Sequence, residues 1–402
     1  MIGVISTRTK IAPHQDMGSQ KKQKHTDLPL SFARSGRANI IISQLHFEFL
    51  ERCMIRTIKT AVGVTVFTFA IVLLVHSKSP VEGKRSVSFT GINIAGGDFG
   101  TEHIPGIYGQ DYIYPEHSSI DYYAAKGMNI IRLPVLWERL QRQLDTDLDE
   151  TEMQRIDAVV TYATSKGLKI IIDVHNYAKY FGSVLGTHTL PTTMLGNLWR
   201  QIAVRYKHND LVVFGLMNEP NQLRTEVWLE AANDAISKIR RAGAKNLILV
   251  PGNGWSSARD WTSTKYGTPN SKVMLNVVDP GNNFVFDVHQ YFDRDFTGTH
   301  DDCQNLEIGV TSLTPFTQWA REHRKRGFLG EFGAGSNPKC LKALDRVLNF
   351  MAENNDIWLG WTYWAGGSWW TKDYFTNIEP TAGEDRPQMS VLEKYLMVEN
   401  AH

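Results

Sequence analysis

The chain has 402 residues, an ordinary globular composition and a formal net charge of +1 at pH 7. That length fits one large α/β barrel with a leader, or two average domains, and the near-neutral charge gives no general basis for a nucleic-acid partner. Aromatic residues make up 11% and eleven are tryptophan, more than a core alone usually needs; Trp is large and amphipathic and often marks surfaces that hold flat ligands.

Residues 1–53 form a basic leader, with eight Lys and Arg against four Asp and Glu. At 61–75 the chain reads AVGVTVFTFAIVLLV, uncharged, with Arg56 and Lys59 ahead of it. The run is shorter than the roughly 20 residues a membrane-spanning helix needs. It fits a signal-peptide apolar region behind a basic stretch, with a cleavage point near Ser77. An uncleaved anchor is the alternative, and either arrangement places the downstream domain outside the cytoplasm. Met54 stands where such a signal would begin, so 1–53 is expected to be a mis-called extension, or else a cytoplasmic tail. Residues 54–77 are thus a signal peptide or anchor, and 78–86 a linker.

From residue 87 to 396 one pattern repeats eight times: a short β-branched apolar run, a polar tip, then a helical stretch. The runs begin at Val87, Asn129, Lys169, Val212, Asn246, Phe284, Gly327 and Trp358. Near-continuous apolar runs imply strands buried on both faces, as parallel strands are. Amphipathic stretches at 151–166, 225–242 and 314–326 predict helices, with Gly167, Gly243 and Gly327 as their stops. Strands alternating with helices close into a (β/α)8 TIM barrel, here a single domain. No second globular domain or low-complexity tract interrupts it.

Active sites in such barrels sit at the C-terminal ends of the strands. Those ends carry Asn93, Arg132, His175 with Asn176, Asn218 with Glu219, Asn253, His289 with Tyr291, Glu331, and Trp364. A packed core does not select charged groups of this kind without partners. Two carboxylates facing each other across a barrel mouth suit glycosidic cleavage: one protonates the leaving oxygen, the other attacks the anomeric carbon. Glu331 must attack as an anion, with Arg132 and the Tyr291 hydroxyl to hold it. Glu219 must start protonated, favoured by a less charged pocket and by the nearby Glu331 anion.

The motifs IRLP at 131–134, DVHNY at 173–177, LMNEP at 216–220, DVHQY at 287–291 and GEFG at 330–333 resemble glycoside hydrolase family 5. GINIAGGDFG at 91–100, PGNGW at 251–255 and GTHDDC at 298–303 are similar to its fungal-type endo-β-1,4-glucanases. The nucleophile motif GEFGAG is closer to the wider family. The resemblance covers about 87–396. It implies a retaining endoglucanase with Glu219 as acid/base and Glu331 as nucleophile. The implied substrate-holding set is Arg132, His175, Asn218, His289, Tyr291 and Trp364; Asn176, from its strand end, and Trp255, in PGNGW, are expected to bind or support substrate beside it. Asn218 is implied to contact the sugar 2-hydroxyl and Trp364 to floor the sugar at the cleavage point.

Among the cysteines, Cys303 and Cys340 fit one disulfide in an oxidising compartment, or two buried thiols otherwise. The resemblance implies the disulfide. No metal or cofactor is called for. The expected partner is a β-glucan polysaccharide or oligosaccharide, with no nucleic acid, membrane contact only through an uncleaved N-terminal segment, and a monomeric, secreted enzyme. The same chemistry on β-mannan, xyloglucan or mixed-linkage glucan is the nearest alternative. More distant are a metal-dependent barrel hydrolase using His175 and His289 with Asp173 and Asp287, and a sugar-binding protein without catalysis. The first lacks H-x-H and H-E-x-x-H patterns, and the second would have lost a glutamate.

Overall fold

Each of the eight apolar runs forms a strand, and the eight close into a parallel barrel. They are β1 (Phe89–Ile94), β2 (Ile130–Val135), β3 (Lys169–Val174), β4 (Val212–Gly215), β5 (Ile248–Pro251), β6 (Phe284–His289), β7 (Gly327–Phe332) and β8 (Trp358–Gly366). Going round, the order is the chain order, and β8 closes on β1. The computed structural model describes residues 86–396. The leader, the apolar run at 61–75 and all but the last residue of the expected linker lie outside the described residues. Among the described residues no helix is long and apolar enough to cross a membrane.

The strands are apolar on both faces because each face meets a different layer. Ile130, Ile171, Val213, Leu249, Val285, Phe328 and Leu359 form one cluster, with Phe89 packed against it, so every strand contributes to one interior ring. The alternate residues pack outward against the helices. Two residues along each strand the same inner face recurs, and there it changes character. Arg132, Asp173 and Asp287 occupy this second layer beside Gly215 and Gly330. A Cβ on Gly330 would stand 2.2 Å from Asp287 Oδ1, so the glycine makes room for a buried carboxylate. The apolar ring supplies the floor; the charged ring above it begins the site.

The helices α1 (His117–Ala125), α2 (Glu150–Ser165), α3 (Thr193–Tyr206), α4 (Thr225–Arg241), α5 (Ile308–Glu322) and α6 (Pro338–Glu353) cover the barrel. The Asp149 side chain caps α2 by accepting from Glu152 N–H, and Asn337 caps α6 through Cys340 N–H, satisfying donors that a helix start leaves free. The expected bounds hold within a residue for α2 and α4. They fail for α5, which starts at Ile308 rather than residue 314 and contains Pro315. Burial of Ile308, Gly309, Ser312 and Leu313 outweighs the local cost of the proline. Nor does Gly327 stop that helix. The turn falls at Arg324, with φ 52°, and Gly327 opens β7 where a Cβ would meet the Phe316 ring at 2.4 Å. Between β5 and β6 there is only a four-residue helix, Asn270–Val273, and a short 3-10 turn.

Cys303 and Cys340 are disulfide-bonded across a sequence separation of 37, tying the loop after β6 to the start of α6. Both are buried. A Cys303→Ser, Cys340→Ser double variant is expected to lose about 3–4 kcal/mol of unfolding free energy through a less constrained unfolded chain. A urea titration measures this; an unchanged midpoint contradicts it.

Candidate active site

Arg132 is the hub. It lies in the middle of β2, fully buried, and points along the inner face toward the barrel mouth. Its Nη1 donates to Asn93 Oδ1 at 2.8 Å and to Glu331 Oε2 at 3.2 Å. Its Nη2 donates to Asn218 Oδ1 at 2.7 Å and lies 3.1 Å from Asp173 Oδ2. A buried cation needs this many acceptors to offset its desolvation. The result is that Asn93, Asn218, Asp173 and Glu331, from four different strands or strand ends, are fixed to one planar group.

Glu331 lies within β7, next in register to His289 of β6. Its Oε1 accepts from the Tyr291 hydroxyl at 2.6 Å, so both oxygens face donors. Glu219 stands past the end of β4 with φ 43°, held in place by its neighbour. Asn218 N–H donates to Val174 O at 2.7 Å, and Asn218 O accepts from Tyr177 N–H at 3.0 Å. His289 Nδ1 donates to Glu219 Oε1 at 2.9 Å and stands 3.8 Å from Glu331 Oε2. An oxygen of each glutamate and a ring nitrogen of His289 all lie within 4.8 Å of one another.

The electrostatics favour the acid form of Glu219. Burial pushes the Glu219 carboxyl up, the Glu331 charge pushes it further, and the hydrogen bond from His289 pulls it back; the first two win. Burial alone would depress His289, but Glu331, Asp287 and Glu219 outweigh it and lift the imidazole to about 10. His175 is raised in the same way: burial opposes, and Asp173, accepting from Nδ1 at 2.8 Å, prevails. Asp173 is itself lowered: Arg132 and His175 override its burial.

Aromatic rings line the rest. Trp364, at the end of β8, lies stacked with His175 at 5.6 Å and donates its indole N–H to Tyr374 OH at 2.9 Å. Trp370 stacks on Tyr374 at 4.0 Å and continues the wall. On the opposite side Trp255 is 42% exposed. Its backbone N–H donates to Pro220 O at 3.2 Å, and Tyr177 meets its ring edge-on at 6.1 Å. Thus Trp255 is anchored beside Glu219.

Of the residues singled out in the sequence, Arg132, His175, Asn218, Glu219, His289, Tyr291, Glu331 and Trp364 converge, with Trp255 at one flank. Asn176 does not join them. Its Oδ1 accepts from Trp137 N–H and its Nδ2 donates to Glu138, each at 2.6 Å, so it braces the neighbouring loop. Asn253 likewise turns away, donating to Leu223 O at 2.9 Å. Tyr374 was not anticipated; it lies in an irregular stretch with no periodic signal. Ligand-type atoms also cluster at Asp293, Asp295 and His300, where Asp293 accepts from the N–H groups of Gly298, Thr299 and His300. The Asp173 carboxylate is shared between His175 Nδ1 at 2.8 Å and Arg132 Nη2 at 3.1 Å.

Residues 83–367 match the family model described as Cellulase (glycosyl hydrolase family 5). Endo-beta-1,4-glucanase B of Aspergillus niger is 38% identical over 308 residues, covering 76% of this chain and 89% of that protein. Endoglucanase 3 of Humicola insolens is 32% identical, covering 79% of each. Among solved structures, an endo-beta-1,4-glucanase from Xanthomonas axonopodis pv. citri, bearing a triple mutation, superposes with TM-score 0.76 at 45% identity, covering 77% of this chain and 99% of that one. XacCel5A solved in complex with cellopentaose is similar to the same degree. The barrel, its order of motifs and these relatives together make the chain a member of glycosyl hydrolase family 5, the cellulase family.

Proposed function

We propose that this protein is an endo-acting, retaining hydrolase of β-1,4-glucosidic bonds in cellulose or related β-glucans. The observation that carries the retaining reading is the approach of the two glutamates, whose oxygens lie within 4.8 Å. Direct attack on an anomeric carbon needs carboxyls about 5–5.5 Å apart, whereas the about 6.5–9.5 Å of inverting enzymes leaves room for a water. In the first step Glu331 attacks and Glu219 gives its proton to the leaving oxygen. In the second, Glu219 takes a proton from water, which displaces Glu331. Arg132 and Tyr291 aim donors at the attacking carboxylate. Among the described residues Asn218 Nδ2 has no hydrogen-bond partner, which suits a bond to the sugar 2-hydroxyl that strengthens in the transition state.

Trp364 and Trp370 on one side and Trp255 on the other support binding of sugar faces on both sides of the cleaved bond. Internal cutting of a chain is supported by the similar proteins, which are named as endoglucanases. The relatives' names, and the cellopentaose bound to a similar enzyme, favour β-1,4-glucan over mannan. The buried disulfide and the uncharged run at 61–75 support export, with residues 54–77 as signal or anchor. The test is viscosity loss against reducing-end release on soluble cellulose, mannan and mixed-linkage glucan. Fast viscosity loss on soluble cellulose is expected. Hydrolysis of mannan alone, or reducing ends without viscosity loss, would refute the assignment.

A further inference from the structure

The turn that follows β1 carries a carboxylate with no role in the mechanism above. The chain leaves β1 and passes through Gly96 and Gly97 into Asp98 and Phe99. Gly96 has φ 141°, and a Cβ on Gly97 would stand 2.5 Å from both the Tyr114 ring and Pro134 O. Only glycine lets the backbone press so closely onto the end of β2. The buried Arg139 guanidinium then fastens the loop, donating to Gly97 O at 2.8 Å, Phe99 O at 2.6 Å and Pro105 O at 2.8 Å. Asp98 sits between two of these clamped carbonyls.

The Asp98 side chain is fixed as well. Its Oδ1 accepts from Gly96 N–H at 2.9 Å, which holds the carboxylate over the mouth end of β1. There Asn93 is paired in register with Arg132 on one side and Trp364 on the other. Phe99 meets Trp370 edge-on at 4.7 Å and packs with Tyr291, Trp364 and Tyr374 in one cluster. Burial pushes the Asp98 carboxyl above its ordinary value, while His175 pulls it back. Oδ2 makes no hydrogen bond or ion pair among the described residues. The turn uses one oxygen, and the other is a fixed, partly desolvated acceptor beside an aromatic wall.

We infer that Asp98 is a sugar-binding residue on the glycone side of the cleft, its Oδ2 accepting a hydrogen bond from a hydroxyl of the glucan. The side follows from the opposite flank. Trp255 is bonded to Pro220 next to the proton donor, so the leaving group lies toward β4 and β5, and β1 with β8 faces the glycone. The inference rests on the glucanase reading.

Asp98→Asn and Asp98→Ser both keep an oxygen for Gly96 N–H but remove the second acceptor. Each is assayed with p-nitrophenyl β-cellobioside, beside Asp98→Glu, with the thermal midpoint of every variant. A charged hydrogen bond to substrate corresponds to about a 10- to 100-fold loss in kcat/KM. That loss is expected in the Asn and Ser variants at unchanged Tm, with partial recovery in Asp98→Glu. Wild-type kcat/KM in either folded variant, or a loss that tracks Tm alone, would overturn the assignment. Should the wild-type enzyme leave the cellobioside intact, the glucanase reading itself fails, which separates the two.

Discussion

Glu331→Ala is expected to lower kcat on the order of 10⁴-fold or more, the scale at which a covalent nucleophile is lost, and azide is expected to restore part of it. The structure gives the reason for both halves. Removing the carboxylate leaves Tyr291 OH and Arg132 Nη1 aimed at an empty acceptor position, since they stood 2.6 and 3.2 Å from its oxygens. A small anion entering there meets the anomeric carbon from the face that Glu331 used. It displaces the leaving group once, so a β-glucoside gives an α-glycosyl azide. Proton NMR of the product reads the anomer. A folded variant with near wild-type turnover, or an azide adduct of β configuration, would place the nucleophile elsewhere.

Much of this site is legible in the sequence because the barrel turns order along the chain into position in space. Eight apolar runs separated by helical stretches fix the strand ends, and a strand end fixes which rim a residue occupies. Glu219 and Glu331 were therefore recognisable before any coordinates. Asp173 and Asp287 stand one strand period before His175 and His289, which puts them on the same inner face, and both are buried. What the sequence hides is direction where the period breaks down. His175 and Asn176 are adjacent at the end of β3, so their side chains diverge; the first joins the Arg132 network and the second braces the loop through Trp137 and Glu138. Tyr374 and Asp98 lie on loops, where contacts are set by distant partners such as Trp364 and Arg139. The start of α5 was hidden for a related reason: Pro315 argues locally against a helix, and only tertiary burial shows why it is tolerated.

Glu219→Gln separates the acid role from the base role. On polymer, whose leaving group is a sugar hydroxyl, loss of the proton donor is expected to cost about 10²- to 10⁴-fold in rate. On an aryl β-cellobioside whose phenol leaves unaided, formation of the covalent intermediate is spared and its hydrolysis becomes limiting. Azide then accelerates turnover by attacking the intermediate, and the product keeps the β configuration, opposite to that from Glu331→Ala. The pH dependence gives an independent sign. In the proposed role the competent form of Glu219 is the acid, and burial with the Glu331 charge raises its pKa. Activity of the native enzyme therefore falls as pH rises through that value. The His289 imidazole is lifted to about 10 by Glu331, Asp287 and Glu219, so the alkaline limb expected from Glu219 should be lost or displaced in the Gln variant. An alkaline limb that persists unchanged in Glu219→Gln, or the same azide anomer from both variants, would mean that the two glutamates do not divide the work in this way.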